Sequence, residues 1–99
     1  MTAGDDASSL IRVECRFQGR VQGVGFRYTT ASIARRYAVA GYVMNCADGS
    51  VELVVEGERT EVTRFIDDVQ KTFSKNIHDC RQSESAACGE FADFRIRRG

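Results

Sequence analysis

The first regular pattern in the chain is an alternation of apolar and polar residues from Ile11 to Gln18. A period of two predicts a strand with one face against a core and the other face in water. From residue 26 to about residue 39 the apolar positions follow helical spacing instead. We expect Gly41 to end this helix, because glycine is common just after the last helical residue.

A hairpin is predicted next along the chain. Residues 42–45 are expected to form a short strand, residues 51–56 alternate in the manner of a strand, and Asp48-Gly49 lies between the two runs. Asp-Gly between two such runs is a strong hairpin signal, since a tight turn needs residues that accept positive φ. We expect Gly57 to end the second strand of the hairpin.

The clearest amphipathic helix follows this hairpin, and Thr60 is its expected N-cap. Its apolar residues recur at the spacing of one helical face. They are Val62, Phe65, Ile66, Val69 and Phe73. The pattern then weakens, and we expect an edge strand at residues 76–84, a loop of small residues at 85–90 and a final short strand within 91–96.

The predicted order is therefore strand, helix, strand, strand, helix, strand, with one further short strand. This is the order of the α+β ferredoxin-like fold, a split β-α-β sandwich. We expect an antiparallel sheet of four to five strands with both helices on one face. Residues 9–99 are expected to form this domain, and the small, polar residues 1–8 to form a flexible tail.

The balance of acidic and basic residues argues against a protein that binds nucleic acids or membrane surfaces. Fourteen Lys and Arg balance fourteen Asp and Glu, so the chain has no formal net charge. Proteins that bind nucleic acids or membrane surfaces rely on an excess of positive charge. No apolar run reaches the ~20 residues that span a bilayer, and the N-terminus lacks a signal-peptide pattern. We therefore expect a cytoplasmic protein with no nucleic-acid or membrane partner.

The four cysteines are spread along the chain without a Cys-x-x-Cys pair, and His78 is the single histidine. A zinc site has little support from this pattern, and we expect no metal and no other cofactor. Because no export signal accompanies the cysteines, we expect free thiols. His78 lies in the weakly patterned region and is expected to be an ordinary surface residue. The cysteines are Cys15, Cys46, Cys80 and Cys88.

Residues 19–27, Gly-Arg-Val-Gln-Gly-Val-Gly-Phe-Arg, join the first predicted strand to the first helix. Their glycines allow backbone N–H groups to approach a ligand, and the helix N-terminus adds partial positive charge. With Arg20 and Arg27 at its ends, the loop could cradle a phosphate or a carboxylate. The spacing fits neither a Walker loop nor a dinucleotide fingerprint. On these residues alone, a tight connection with two solvated arginines is an equally good interpretation.

Asn45 lies at the end of the first hairpin strand. In the predicted topology the hairpin brings this strand end towards the end of the sheet that carries the glycine loop. Asn45 is the uncharged donor and acceptor of that segment. Position alone favours the simpler interpretation, a turn residue beside Asp48-Gly49.

Two motifs in this order resemble the signatures of acylphosphatases, particularly their bacterial branch. The first is residues 19–28, Gly-Arg-Val-Gln-Gly-Val-Gly-Phe-Arg-Tyr. The second is Gly-Tyr-Val-Met-Asn at 41–45, followed by Asp-Gly-Ser-Val-Glu at 48–52. Residues 91–96, Phe-Ala-Asp-Phe-Arg-Ile, are similar to the C-terminal aromatic strand of the family. The resemblance extends over about residues 10–97.

This resemblance implies an enzyme that hydrolyses small acyl phosphates to a carboxylate and inorganic phosphate, without a metal or cofactor. The catalytic arginine of the family falls on Arg27 and its catalytic asparagine on Asn45, whereas Arg20 is not at a catalytic position. The expected partner is a small-molecule acyl phosphate. The protein is expected to be a monomer. Backbone N–H groups of the loop would hold the phosphate; they belong to Gln22, Gly23, Val24, Gly25 and Phe26.

Three other functions are left open. A related domain hands carbamoyl phosphate to a larger enzyme in hydrogenase-maturation proteins, but such domains are fused to further modules and this sequence ends at Gly99. A ferredoxin-like module can bind RNA on exposed aromatics, but residues 25–28 lie at a loop-to-helix junction instead of on a strand. A catalytically inactive anion sensor is disfavoured because both Arg27 and Asn45 are present.

Overall fold

The computed structural model describes residues 10–98, so the predicted tail at residues 1–8 lies outside the described residues. The strands form one sheet in the order β4-β1-β3-β2-β5. The predicted α+β ferredoxin-like fold is confirmed. The elements are β1 (Leu10–Gly19), α1 (Phe26–Ala34), β2 (Val39–Asn45), β3 (Val51–Glu58), α2 (Arg59–Thr72), β4 (Ile77–Ala86) and β5 (Phe94–Arg97).

The sheet is mixed, which corrects the prediction of an antiparallel sheet at its last strand. β4, β1, β3 and β2 pair antiparallel, whereas β5 runs parallel to β2. β4 and β5 are the two edge strands of the sheet. Residues 87–93 connect them at the end of the sheet where β4 finishes, so β5 runs away from that end. β2 also runs away from that end, so β5 is parallel to it.

The first helix is shorter than predicted, and Gly41 does not end it. The helix finishes at Ala34, and β2 starts at Val39, where pairing with β3 begins. Gly41 lies inside β2 with φ of 148°, and a Cβ there would lie 1.9 Å from the carbonyl oxygen of Val54. Glycine is needed at this position because two strands approach closely, and the expected role of Gly41 as a helix end is wrong.

Two further boundaries differ from the prediction. β3 continues through Gly57 to Glu58, because β1 pairs with it as far as Leu10 and Glu58. The second helix therefore begins at once at Arg59 with Glu58 as its N-cap, and Thr60 lies within the helix. β4 lies at the edge of the sheet as predicted and extends two residues further, to Ala86.

The core lies between the two helices and one face of the sheet. The five apolar residues predicted for the second helix are all buried, as are the inward residues of β1. Within residues 10–98, neither helix is long and apolar enough to cross a membrane. The buried apolar residues of the strands include Ile11, Val13, Phe17, Val43, Val51, Leu53 and Val55.

Candidate active site

The loop between β1 and α1 exposes the amino-terminal end of α1. Gly23 and Gly25 have φ of 78° and 79°, and Gly25 is the N-cap of α1. A Cβ at either glycine would meet open space, so the requirement for glycine comes from the backbone conformation alone. The first N–H groups of a helix have no partner within it. With no acidic residue in its first turn, this helix end keeps its partial positive charge.

Phe26 fixes the position at which α1 begins. Its side chain is 2% exposed and packs between two other rings. The ring centroids lie 5.3 Å from that of Phe17 in β1 and 4.4 Å from that of Phe73 at the end of α2. Because Arg27 follows directly in the first turn, this packing sets the place from which its side chain extends.

Arg27 lies in the first turn of α1 without a carboxylate of the described residues beside it. Its side chain is half-buried, and within residues 10–98 no carboxylate lies within ion-pair distance of it. Its guanidinium is therefore available to an anionic ligand, with donors arranged in a fork. Arginines that do pair with carboxylates are Arg12, Arg16, Arg36, Arg59, Arg81 and Arg95.

Asn45 ends β2 and lines the same cavity as Arg27, about 220 Å³ in volume. This volume is large enough for a phosphate with a water molecule, since one water takes up about 30 Å³ in the liquid. The Oδ1 of Asn45 is buried and accepts no hydrogen bond from residues 10–98. An orphaned buried acceptor is rare in proteins and calls for an explanation. The residues lining the cavity are Val21, Gly23, Gly25, Phe26, Arg27, Tyr28 and Asn45.

Of the loop residues predicted to bind phosphate, three line this cavity and two do not. Val24 is exposed beside it. The side chain of Gln22 turns towards the β2–β3 hairpin, where Nε2 donates to the carbonyl oxygens of Cys46 and Ser50. Sequence reasoning missed this contact, because no sequence signal tells which distant carbonyl groups lie within reach of an amide.

Two further residues flank the site. Arg20, at the start of the loop, donates its backbone N–H to the carbonyl oxygen of Asn76 at 2.9 Å and does not line the cavity. Tyr28 was not predicted as a site residue, yet its side chain is 73% exposed at the cavity wall. An exposed aromatic ring next to Arg27 offers an apolar surface to a ligand held in the cavity.

The turn between β2 and β3, which follows Asn45, is held by a small polar network. Asp48 Oδ1 accepts hydrogen bonds from the hydroxyl of Ser50 at 2.5 Å and from its backbone N–H at 3.0 Å. The hydroxyl bond, then the backbone bond, lowers the pKa of Asp48 below its usual value. Arg16 NH1 donates to the same Ser50 hydroxyl at 3.3 Å. The hairpin that carries Asn45 is thus tied to β1 as well as to Gln22.

One group of side chains within residues 10–98 is close enough to hold a metal ion: Glu56, Cys88 and Glu90. Glu56 is 6% exposed, and its carboxylate accepts from the backbone N–H groups of Cys88 and Gly89. Arg12 NH1 also donates to Glu56 at 3.2 Å and to Glu90 at 2.6 Å. A guanidinium and two backbone N–H groups already bond these carboxylates, so the group fits a structural anchor for residues 87–93.

The four cysteines are free thiols, and two of them lie on adjacent strands of the sheet. Cys15 in β1 is buried, and Cys80 in β4 lies diagonally across from it on the same face of the sheet. A hydrogen bond from the Cys15 thiol favours the thiolate of Cys80 and lowers the pKa of Cys80 to about 6. The same contact and burial raise the pKa of Cys15. Neither thiol lines the cavity of Arg27 and Asn45.

Comparison with known proteins gives consistent results for sequence and structure. Residues 13–96 match the family model described as acylphosphatase. An acylphosphatase of Paenarthrobacter aurescens is 42% identical over 87% of this chain and 93% of its own length. A crystal structure of acylphosphatase from Bacillus subtilis is 34% identical with a TM-score of 0.81, and the match covers 88% of this chain and 98% of that one.

A larger protein also contains a similar part. The crystal structure of full-length HypF in its phosphate- and nucleotide-bound form is 29% identical with a TM-score of 0.75. The match covers 89% of this chain but 12% of HypF. The same domain architecture therefore occurs both alone and as a small portion of a longer chain.

Proposed function

Since the chain belongs to the acylphosphatase family, we propose that it hydrolyses the carboxyl–phosphate bond of small acyl phosphates at the cavity of Arg27 and Asn45. The products are a carboxylate and inorganic phosphate. One observation carries the assignment of the site. Asn45, with an unpartnered buried Oδ1, lines the same cavity as Arg27 and the open end of α1.

In this proposal the loop and Arg27 hold the phosphoryl group. Backbone N–H groups of residues 22–26 donate to its oxygens, aided by the partial positive charge of the helix end. Arg27 adds charge-assisted hydrogen bonds from its forked guanidinium. Negative charge spreads over the oxygens of the phosphoryl group in the transition state, so fixed donors stabilise that state more than the bound substrate.

Asn45 positions the attacking water. Its side-chain amide forms a hydrogen bond with the water, whose oxygen is then directed at phosphorus opposite the acyl oxygen. The bond from water oxygen to phosphorus forms as the bond from phosphorus to acyl oxygen breaks, and the released electron pair stays on the carboxylate. A phosphate oxygen of the substrate takes the proton of the water, because no carboxylate, histidine or lysine is among the described residues that line the cavity.

The chemistry accounts for so small a set of side chains. The leaving group is a carboxylate whose conjugate acid has a pKa of about 4–5, so no general acid has to protonate it. Positive charge comes from Arg27 and the N–H groups. Binding, orientation and electrostatic stabilisation are then sufficient for phosphoryl transfer.

The direct test is hydrolysis of benzoyl phosphate by the purified protein, with a chelator present and no metal added. Steady turnover with competitive inhibition by inorganic phosphate supports the proposal, and Asn45→Ala should slow the turnover about 10²–10³-fold. A protein that binds inorganic phosphate but leaves benzoyl phosphate intact would be an anion-binding module. Turnover that stops on chelation would contradict a mechanism built on Arg27 and N–H groups alone.

A second candidate for the acyl phosphate is carbamoyl phosphate, which the related domains of hydrogenase-maturation proteins handle. Carbamoyl phosphate has the same carboxyl–phosphate linkage, with a small polar acyl group in place of an aromatic ring. The ratio of kcat/KM for carbamoyl and benzoyl phosphate distinguishes the two candidates. The exposed ring of Tyr28 beside the cavity favours the aromatic substrate.

A further inference from the structure

We propose that the side chain of Gln22 is a positioning residue that holds Asn45 in register with the phosphate-binding loop. This inference rests on the proposed function, because it concerns how the two halves of that site are kept together. Gln22 lies in the loop after β1, and Asn45 lies at the end of β2. The two segments are distant in sequence and both contribute residues to one cavity.

The contact is made by a single amide group. Gln22 Nε2 donates to the carbonyl oxygen of Cys46 at 2.8 Å and to that of Ser50 at 2.8 Å. Both of its N–H bonds are thereby used. The two carbonyl groups belong to the turn that begins directly after Asn45, so the amide joins the loop to both ends of this turn.

The pairing of the strands constrains Asn45 on one side only. Asn45 is the last residue of β2 and pairs with Val51 of β3 on one side. On the other side the pairing of β2 with β5 ends at Met44 and Arg97, one residue earlier. Asn45 therefore has a neighbouring strand on one side alone, and the bonds of Gln22 to the adjacent turn supply a second constraint.

The chemistry of the contact requires an amide of this length. Two carbonyl acceptors need two donors on one nitrogen atom, which glutamine provides and glutamate or methionine does not. The carbonyl oxygens keep other donors when Gln22 is changed. Cys46 N–H donates to Ser50 at 2.8 Å, and Gly49 N–H donates to Cys46 at 3.1 Å. Loss of the amide therefore loosens the junction of loop and turn without leaving either carbonyl group unpaired.

The test is the variant Gln22→Met, which keeps the length and neutrality of the side chain and removes both donors. Gln18→Met is the matched control, because Gln18 is exposed on β1 and does not line the cavity of Arg27 and Asn45. We expect Gln22→Met to lower kcat about 10- to 100-fold, since misplacing a reacting group by about 1 Å costs up to about a hundredfold. Inhibition by inorganic phosphate should stay within about twofold of wild type, because the groups that hold phosphate are unchanged.

Nuclear magnetic resonance gives a readout that does not depend on activity. In the wild type, the side-chain amide protons of Gln22 should exchange slowly and show contacts to protons of the turn. In Gln22→Met, the side-chain amide signals of Asn45 should move, and those of the control should not. If Gln22→Met does not fold, the neutral variant Gln22→Ala replaces it, and the wild-type measurement needs no variant.

The outcomes separate this inference from the proposed function. A kcat of Gln22→Met equal to that of Gln18→Met, or a loss that comes wholly from weaker phosphate binding, overturns the positioning role. Fast exchange of the Gln22 amide protons in the wild type overturns it as well. If the wild type hydrolyses no acyl phosphate, the proposed function is wrong. The positioning of Asn45 by Gln22 is tested separately, and Asn45 amide signals that do not move in Gln22→Met would refute it.

Discussion

Replacing Asn45 with alanine should weaken catalysis and leave the fold equally or more stable. Oδ1 of Asn45 is buried without a partner among residues 10–98, and an unpaired buried acceptor costs about 1–3 kcal/mol. Removing it relieves that cost and loses a little packing. We therefore expect the free energy of unfolding to rise by about 0–1 kcal/mol, which corresponds to an increase in Tm of at most about 8 °C for a domain of this size.

The same change should slow the reaction strongly. Removing one fixed group that stabilises or orients the reacting atoms typically lowers kcat by about 10²–10³-fold, or about 2.7–4 kcal/mol in the barrier. Benzoyl phosphate hydrolysis, followed by ultraviolet absorbance at saturating substrate, measures kcat. Thermal unfolding followed by circular dichroism measures Tm on the same samples.

Asn76→Ala is the matched control for this experiment. Asn76 Nδ2 donates to the backbone oxygen of Arg20 at 3.1 Å, outside the cavity. This variant should lose a little stability and keep its activity, the reverse of Asn45→Ala. Two results would refute the reasoning: an Asn45→Ala protein that retains most of its kcat, or one whose Tm falls by more than about 4 °C, the equivalent of about 1 kcal/mol.

Three other changes probe separate parts of the molecule. Arg27→Ala should reduce kcat by about 10³–10⁵-fold, as expected for an arginine that stabilises phosphoryl transfer, and should abolish inhibition by phosphate, whereas Arg20→Ala should retain both. Alkylation of Cys80 by iodoacetamide, located by peptide mass spectrometry, should rise with pH through about 6, because the thiolate is the reacting form. Cys15→Ala removes the hydrogen bond that lowers this pKa, so the rise should move to higher pH. Glu56→Ala should lower the free energy of unfolding by about 3 kcal/mol in chemical denaturation, since it deletes a buried carboxylate that holds two N–H groups and a guanidinium, and should leave kcat unchanged.

Each of these expectations has a result that would contradict it. Equal losses of kcat in Arg27→Ala and Arg20→Ala would mean that the charge of the loop matters and its geometry does not. Alkylation of Cys80 with the pH dependence of an ordinary thiol would show that Cys15 does not stabilise the thiolate. A Glu56→Ala protein as stable as the wild type would show that residues 87–93 are held by other contacts.

The periodic parts of the chain could be predicted, and the element boundaries could not. The buried face of α2 and the alternation of β1 follow from hydrophobic spacing, which tertiary contacts reinforce. Gly41 and Gly57 were interpreted as element ends because a glycine that ends an element and a glycine that admits a neighbouring strand look the same in sequence. The distinction at Gly41 comes from the carbonyl of Val54, on another strand.

The site divides in the same way. The glycine loop, Arg27 and Asn45 could be named because their motifs are local and resemble a known family. The contact of the Gln22 amide with the hairpin could not be inferred, since it depends on distances between segments that are far apart in sequence. The buried Glu56 was also missed, because alternation along β3 assigns its face of the sheet to solvent, whereas residues 87–93 cover it.

The packing of Phe26 between Phe17 and Phe73 has a consequence for the newly made chain. Arg27 and Asn45 leave the ribosome well before Phe73, so a nascent chain holds both side chains of the site while the ring that completes the support of α1 is still missing. Bringing Phe26 and Phe73 together costs chain entropy, which the packing of their rings offsets. The nascent polypeptide should therefore remain inactive until α2 has emerged and docked, and activity should first appear with the completed domain.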